Sequence, residues 1–182
     1  MVSFKIVVSS IALSSAVLAA PPQANYTNLC YSDITNIDHH VKELTEKAKS
    51  FNGGLFWALP QVPLALEVAV ATASAGLHSA FLARPLPVAD LLRLVDHVNK
   101  TLAVDGPLVL ETFISKESVY EQTGLKAPIH LGLKVYLVLY QRFVENILDR
   151  VPADAPKDRV EILKRDIQVI TDSLQKTIKV YE

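Results

Sequence analysis

Apolar residues in this chain recur at steps of three and four, in runs separated by glycine and proline. That is the period of a helix face rather than of a strand. Ile34, Ile37, Val41, Leu44, Ala48 and Phe51 form the first such face. Ser32, Asp33 and Thr35 offer start signals, and Asn52-Gly53-Gly54 closes it, because glycine tolerates the left-handed turn that ends a helix. A second helix is expected to start between Pro60 and Pro63, where a missing donor costs nothing, and to run to about Ala83 before Pro85 and Pro87. The third carries Val88, Leu91, Leu92, Val95, Val98 and Leu102 and is expected to stop at Asp105-Gly106-Pro107. A shorter fourth, around Leu110, Phe113 and Ile114, runs out before Gln122-Thr123-Gly124. The fifth begins near Pro128 and aligns Ile129, Leu133, Tyr136, Tyr140, Phe143, Val144 and Ile147. After a rigid turn from Val151 to Pro156, the last helix aligns Val160, Leu163, Ile167, Ile170, Leu174, Ile178 and Tyr181. Long helices joined by short connections predict an all-α fold: a single-domain antiparallel helical bundle of five to six helices over 33–182.

The second helix departs from the rule that a surface helix shows a broad polar face. From Leu55 to Ala83 the one formal charge is Glu67. Leu66, Ala69, Ala73, Leu77 and Ala80 lie on one side, and Leu64, Val68, Ala71, Ala75 and Leu82 on the other. At ~100° per residue, Glu67, Ser74 and His78 form a thin polar line between them. Three readings compete: a membrane span, a central helix buried on nearly every side, and a helix that lines an apolar cavity or shows an apolar surface. Glu67, His78 and the many alanines make a poor span. The small residues Ala69, Ala71, Ala73, Ala75, Gly76 and Ala80 would face the large side chains of the fifth helix. Small and large either interdigitate or leave an apolar pocket between helices. The expected pocket is lined by Leu66, Val70, Ala73, Ser74, Leu77, His78 and Phe81 from the second helix and by Leu133, Tyr136, Tyr140 and Phe143 from the fifth.

The N-terminus places this helix in its setting. Lys5, an apolar run from Ile6 to Leu18 and small residues before Pro21-Pro22 have the order of a signal peptide, with the cut expected after Ala19. Residues 20–32 then form a polar, flexible lead, and the product is secreted, to the medium or a cell wall. Removing 1–19 changes the formal charge from −1 to −2, which creates no field to attract nucleic acid. No lipid-anchor signal is expected at the C-terminus, and no transmembrane anchor is expected. Asn25-Tyr26-Thr27 and Asn99-Lys100-Thr101 are sequons, so Asn25 and Asn99 are candidate glycosylation sites, Asn25 the better placed in its lead. Cys30 is the lone cysteine, either an idle thiol or half of an intermolecular bridge.

Motifs for chemistry are sparse. Gly76-Leu77-His78-Ser79-Ala80 has its serine at the wrong offset for a nucleophile turn and lies within a helix. His39 and His40 are adjacent, so they point about 100° apart on a helix and are expected not to share a metal. His39 and Glu43 are spaced as a solvated i,i+4 pair. No metal site, cofactor or catalytic set is expected.

The first helix Ile34-x-x-Ile37-x-x-x-Val41-x-x-Leu44, the break Phe51-Asn52-Gly53-Gly54 and the ending Ile167-x-x-Ile170-x-x-x-Leu174-x-x-x-Ile178-x-x-Tyr181 resemble the fungal hydrophobic surface-binding protein A family, which includes secreted cell-wall mannoproteins. The resemblance spans nearly the whole mature chain. It implies a compact helical bundle, export and no catalysis. It also implies either a long-chain fatty acid in a central apolar cavity or adsorption to hydrophobic surfaces, with cell-wall polysaccharide as a further partner. No ligand motif transfers residue by residue. The serine/threonine-rich tail of wall-attached members is missing, which implies a soluble form. The expected function is therefore a secreted, non-enzymatic protein holding a lipid-like ligand between the second and fifth helices. The alternative is a surface-active or wall protein with no discrete pocket.

Overall fold

The computed structural model describes residues 25–182. The expected signal peptide and the start of the lead lie outside those residues. Eight helical segments follow: α1 (Tyr26–Ser50), α2 (Leu55–Ala58), α3 (Gln61–Ser79), α4 (Val88–Lys100), α5 (Leu102–Ser115), α6 (Glu117–Gln122), α7 (Lys126–Leu148) and α8 (Lys157–Tyr181).

The polar lead is shorter than expected. Asn25 caps α1 by accepting a hydrogen bond from the Asn28 amide at 3.0 Å. The buried face then runs Thr27, Cys30, Ile34, Ile37, Val41, Leu44 and Ala48, so the period extends two turns further back than the aliphatic residues reveal. The stop is as expected: Gly53 and Gly54 have φ of +106° and +87°, which a residue with a Cβ rarely adopts.

Asp105-Gly106-Pro107 does not end a helix. The chain breaks earlier, at Thr101 (φ −125°, ψ −94°), and Asp105, Gly106 and Pro107 fall inside α5. Thr101 satisfies groups on both sides of its own break. Its hydroxyl donates to His97 O at 2.6 Å, and its carbonyl accepts from the Val104 and Asp105 amides. Asp105 thereby sits in the first turn of a new helix, where an acidic side chain is favourable.

Side-chain contacts fix the directions. Asp33 meets His78 and His40 meets Glu67, so α1 and α3 are antiparallel. Thr27 meets Asp90 and Thr35 meets His97, so α1 and α4 run the same way. Gly106 lies against Ile170 and Phe113 meets Tyr181, so α5 and α8 run the same way. The rods α1, α3, α4–α5, α7 and α8 therefore alternate up and down along the chain, as an antiparallel bundle must. Each of α1, α4–α5 and α8 gives buried aliphatics to one core, which includes Ile34, Ile37, Leu91, Val95, Leu102, Ile170 and Leu174.

Candidate functional site

The space expected between the second and fifth helices is filled. On α3, Val68, Thr72, Ala75, Gly76 and Ser79 are buried, and α7 closes directly onto them. A Cβ placed on Gly76 would lie 3.9 Å from the Phe143 amide nitrogen and 4.0 Å from Leu139 O. The small residues of α3 therefore bring α7 close instead of leaving a void. Asn146 extends this seam by donating to Gly76 O at 3.0 Å and to the Ser79 hydroxyl at 3.1 Å.

The residues of the expected pocket divide into three groups. Leu66, Val70, Ala73, Leu77 and Phe81 face outward. Ser74, His78 and Tyr136 are half-buried at the helix contacts, and burial pushes the Tyr136 hydroxyl up to about 12. Leu133, Tyr140 and Phe143 are buried. Of the whole set, Tyr140 and Phe143 do border an apolar cavity, but a different one.

That cavity lies at the centre of the bundle. Its walls are Ile34 of α1, Leu94, Val95 and Val98 of α4, Leu102 of α5, Tyr140, Phe143, Val144 and Ile147 of α7, and Leu163 and Ile167 of α8. Its volume is about 30 Å³, room for a water-sized molecule. Every lining side chain is apolar except for the Tyr140 hydroxyl, which burial moves well above the ordinary phenol range and so keeps protonated. Sequence reasoning had each of these residues except Leu94 on a core face. What it lacked was which faces meet with a shortfall in volume.

A second apolar feature lies outside. From α2 through α3, Phe56, Trp57, Leu59, Val62, Leu66, Val70 and Leu77 are exposed, with Phe56 at 74% and Trp57 at 70%. From Leu59 to Leu77 they follow a helical stripe, and Leu131, Val135 and Val138 form a parallel one on α7. The Leu55–Ser79 stretch is long and apolar enough to cross a membrane by length and composition. Here one side of it packs on α1 and α7. The buried-on-every-side reading of this helix is thus corrected: its outer side faces solvent. Exposed apolar surface of this kind makes it a candidate interaction site.

Polar fasteners flank these apolar regions. His78 Nδ1 lies 2.6 Å from Asp33 Oδ2, joining α3 to α1. Burial raises the Asp33 carboxyl, with the His78 hydrogen bond offsetting part of the effect. Arg150, buried, donates to Leu82 O at 3.2 Å, Ala80 O at 2.8 Å and Asn146 O at 2.7 Å. It thereby holds the segment after α3 against the end of α7. The reading of His39 and His40 as pointing apart is also corrected. Side-chain reach brings both rings to Glu43, at 3.8 Å and 3.7 Å. Cys30 is fully buried, and burial, with Asp33 nearby, pushes its thiol up to about 12, so it offers no surface for a bridge. The sequons differ in setting. Asn25 is exposed, whereas the Asn99 side-chain nitrogen donates to buried Asp166 at 2.8 Å, the atom a glycan would use.

The comparisons with known proteins agree with this fold. Among curated proteins, none matches the sequence. Solved structures share the fold at low identity. One described as AfMP4p in complex with palmitic acid has a TM-score of 0.77 at 17% identity, covering 86% of this chain and 99% of that one. Ligand-binding domain 1 of Penicillium marneffei MP1 protein, complexed with arachidonic acids, has a TM-score of 0.75 at 18% identity, covering 86% and 99%. Domain 2 of the same protein, complexed with multiple arachidonic acids, gives 0.75 at 18%, covering 88% and 98%. The family model for hydrophobic surface binding protein A matches residues 27–149, from the first turn of α1 to the end of α7. The chain belongs to the hydrophobic surface binding protein A family.

Proposed function

We propose that this chain is a secreted, non-enzymatic binding protein that takes a long-chain fatty acid into the central cavity. The observation that carries the reading is the apolar space bordered by five helices. It lies at the centre of a fold whose solved relatives are described with palmitic and arachidonic acids bound. The cavity of about 30 Å³ is far below the ~300 Å³ or more typical of a ligand site. Lipid entry therefore requires the walls to part. The α4 wall (Leu94, Val95, Val98) and the α7 wall (Tyr140, Phe143, Val144, Ile147) face one another across this gap. Parting them exposes apolar side chains, which the lipid tail then covers.

The test is a titration with a fluorescent fatty acid, competed by palmitic acid, together with native mass spectrometry after expression in a lipid-containing host. Saturable binding near one to a few ligands per chain is expected. A protein recovered without lipid that also shows no saturable binding would overturn the reading.

The exposed α2–α3 stripe supports a second activity, adsorption to hydrophobic surfaces. Each exposed aromatic ring offers ~150–250 Å² to bury. Phe56→Ser with Trp57→Ser is expected to lower the fraction held on polystyrene beads severalfold. Fluorescent fatty-acid binding should stay unchanged, since neither side chain borders the cavity. Equal loss of both activities would mean one shared site.

A further inference from the structure

We propose that His39, His40 and Glu43 of α1, together with Glu67 of α3, form a binding site for Zn²⁺ that ties the two helices together. On α1 the spacings are i,i+4 and i,i+3, so both imidazoles converge on the Glu43 carboxylate. The ligand atoms of His39, His40 and Glu43 all lie within 4.8 Å of one another. From the facing helix, Glu67 Oε2 comes to 3.2 Å from His40 Nδ1. Ligands held ~2.0–2.2 Å from a tetrahedral zinc sit roughly 3.3–3.6 Å apart. The nitrogen–oxygen separations of 3.2, 3.7 and 3.8 Å bracket that distance, so small rotamer changes close the His39, His40 and Glu43 set, and Glu67, outside that group, swings further to join it.

Two further observations point to a cation. His40 Nδ1 is shut off from solvent yet makes no hydrogen bond of acceptable geometry, despite lying between two carboxylates. A buried, unpaired nitrogen of this kind calls for a partner. The two carboxylates likewise lack lysine or arginine partners among the described residues. Nearby Lys42 is held by Asp38 at 2.6 Å and Asp105 at 3.3 Å, and Lys47, which lines the same groove, forms an ion pair with neither carboxylate. Two imidazoles and two carboxylates form a nitrogen–oxygen set that suits Zn²⁺ better than Mg²⁺ or Ca²⁺ and cancels its charge. The site also gives a reason for the single formal charge on an otherwise apolar segment, because Glu67 points back to α1 and away from the outward stripe.

The experiment uses the chain stripped with EDTA. Calorimetric titration with Zn²⁺ at pH 7.5 is expected to show one ion per chain with micromolar or tighter affinity. The melting temperature is expected to rise by about 5 °C or more when Zn²⁺ is a hundredfold above Kd. Glu67→Gln and His39→Ala should each weaken binding about tenfold or more, and His40→Ala should remove it. Glu67 and His39 are largely exposed, so those two variants keep the test open if His40→Ala misfolds. Binding weaker than millimolar overturns the proposal. So does unchanged affinity in Glu67→Gln, which would leave the ion on α1 alone, and so does binding that survives loss of both histidines.

Discussion

Replacing Val98 with tryptophan is expected to reduce fatty-acid affinity by at least about a hundredfold, ~2.7 kcal/mol, while leaving the bundle folded. Val98 sits half-buried on α4 at the wall of the central cavity. An indole there would take up the cavity and bridge towards the α7 wall, in the volume a lipid tail needs. Overpacking of this kind costs ~1–3 kcal/mol, and the melting temperature should fall by only a few degrees. Displacement of a fluorescent fatty acid measures the first effect and circular dichroism the second. Undiminished affinity in V98W would place the lipid elsewhere, with the outer α3 stripe the next candidate.

Arg150→Ala is expected to be the most destabilising surface-distant substitution, at about 3–5 kcal/mol by urea unfolding. The guanidinium serves three backbone carbonyls, those of Ala80, Leu82 and Asn146. Hydrogen bonds to a charged donor contribute ~1.5–3 kcal/mol each, and removing the donor leaves buried acceptors behind. The same segment is held through the Leu86 amide, which donates to Arg150 O at 2.9 Å. Arg150→Lys should recover little, because a single ammonium lacks the planar fork that reaches separate carbonyls. A loss below ~1 kcal/mol would mean that water serves those carbonyls after the substitution.

Much of the fold was legible because burial here follows the 3.6-residue period. The α8 face from Leu163 to Tyr181 reads directly, as does the Gly53-Gly54 stop. The start of α1 did not, because its first buried turns use Thr27, Cys30 and Asp33, and one apolar residue between two polar ones carries no periodic signal. Pro107 misled for a related reason. A proline forbids a hydrogen bond but does not say whether the chain has already broken six residues earlier. The cavity was legible only as a set of core faces. Tyr140 and Phe143 were expected to line an apolar pocket, and both border an apolar cavity, yet the opposing wall comes from α4 rather than α3. Side-chain volumes at a three-dimensional junction decide that, and spacing along one helix does not encode it. Phe56 and Trp57 show the converse limit: apolar residues outside the core look the same in sequence as those within it.

The break at Thr101 has a mechanical consequence. It separates α4 from α5 within what would otherwise be one rigid rod, so α4 can act as a lever with its pivot beside the cavity wall at Leu102. A 13-residue helix is about 20 Å long, so a tilt of ~10° about that pivot carries its Val88 end through roughly 3.5 Å. The ties towards that end include the Thr27–Asp90 hydrogen bond, the Arg93–Asn28 hydrogen bond, the Leu86–Arg150 backbone link and buried Leu91. The core face of α4, Leu91, Leu94 and Val95, resists the same tilt, and at Leu94, seven residues from Thr101, the tilt amounts to roughly 2 Å, so the wall of the cavity moves less than the free end of its lever.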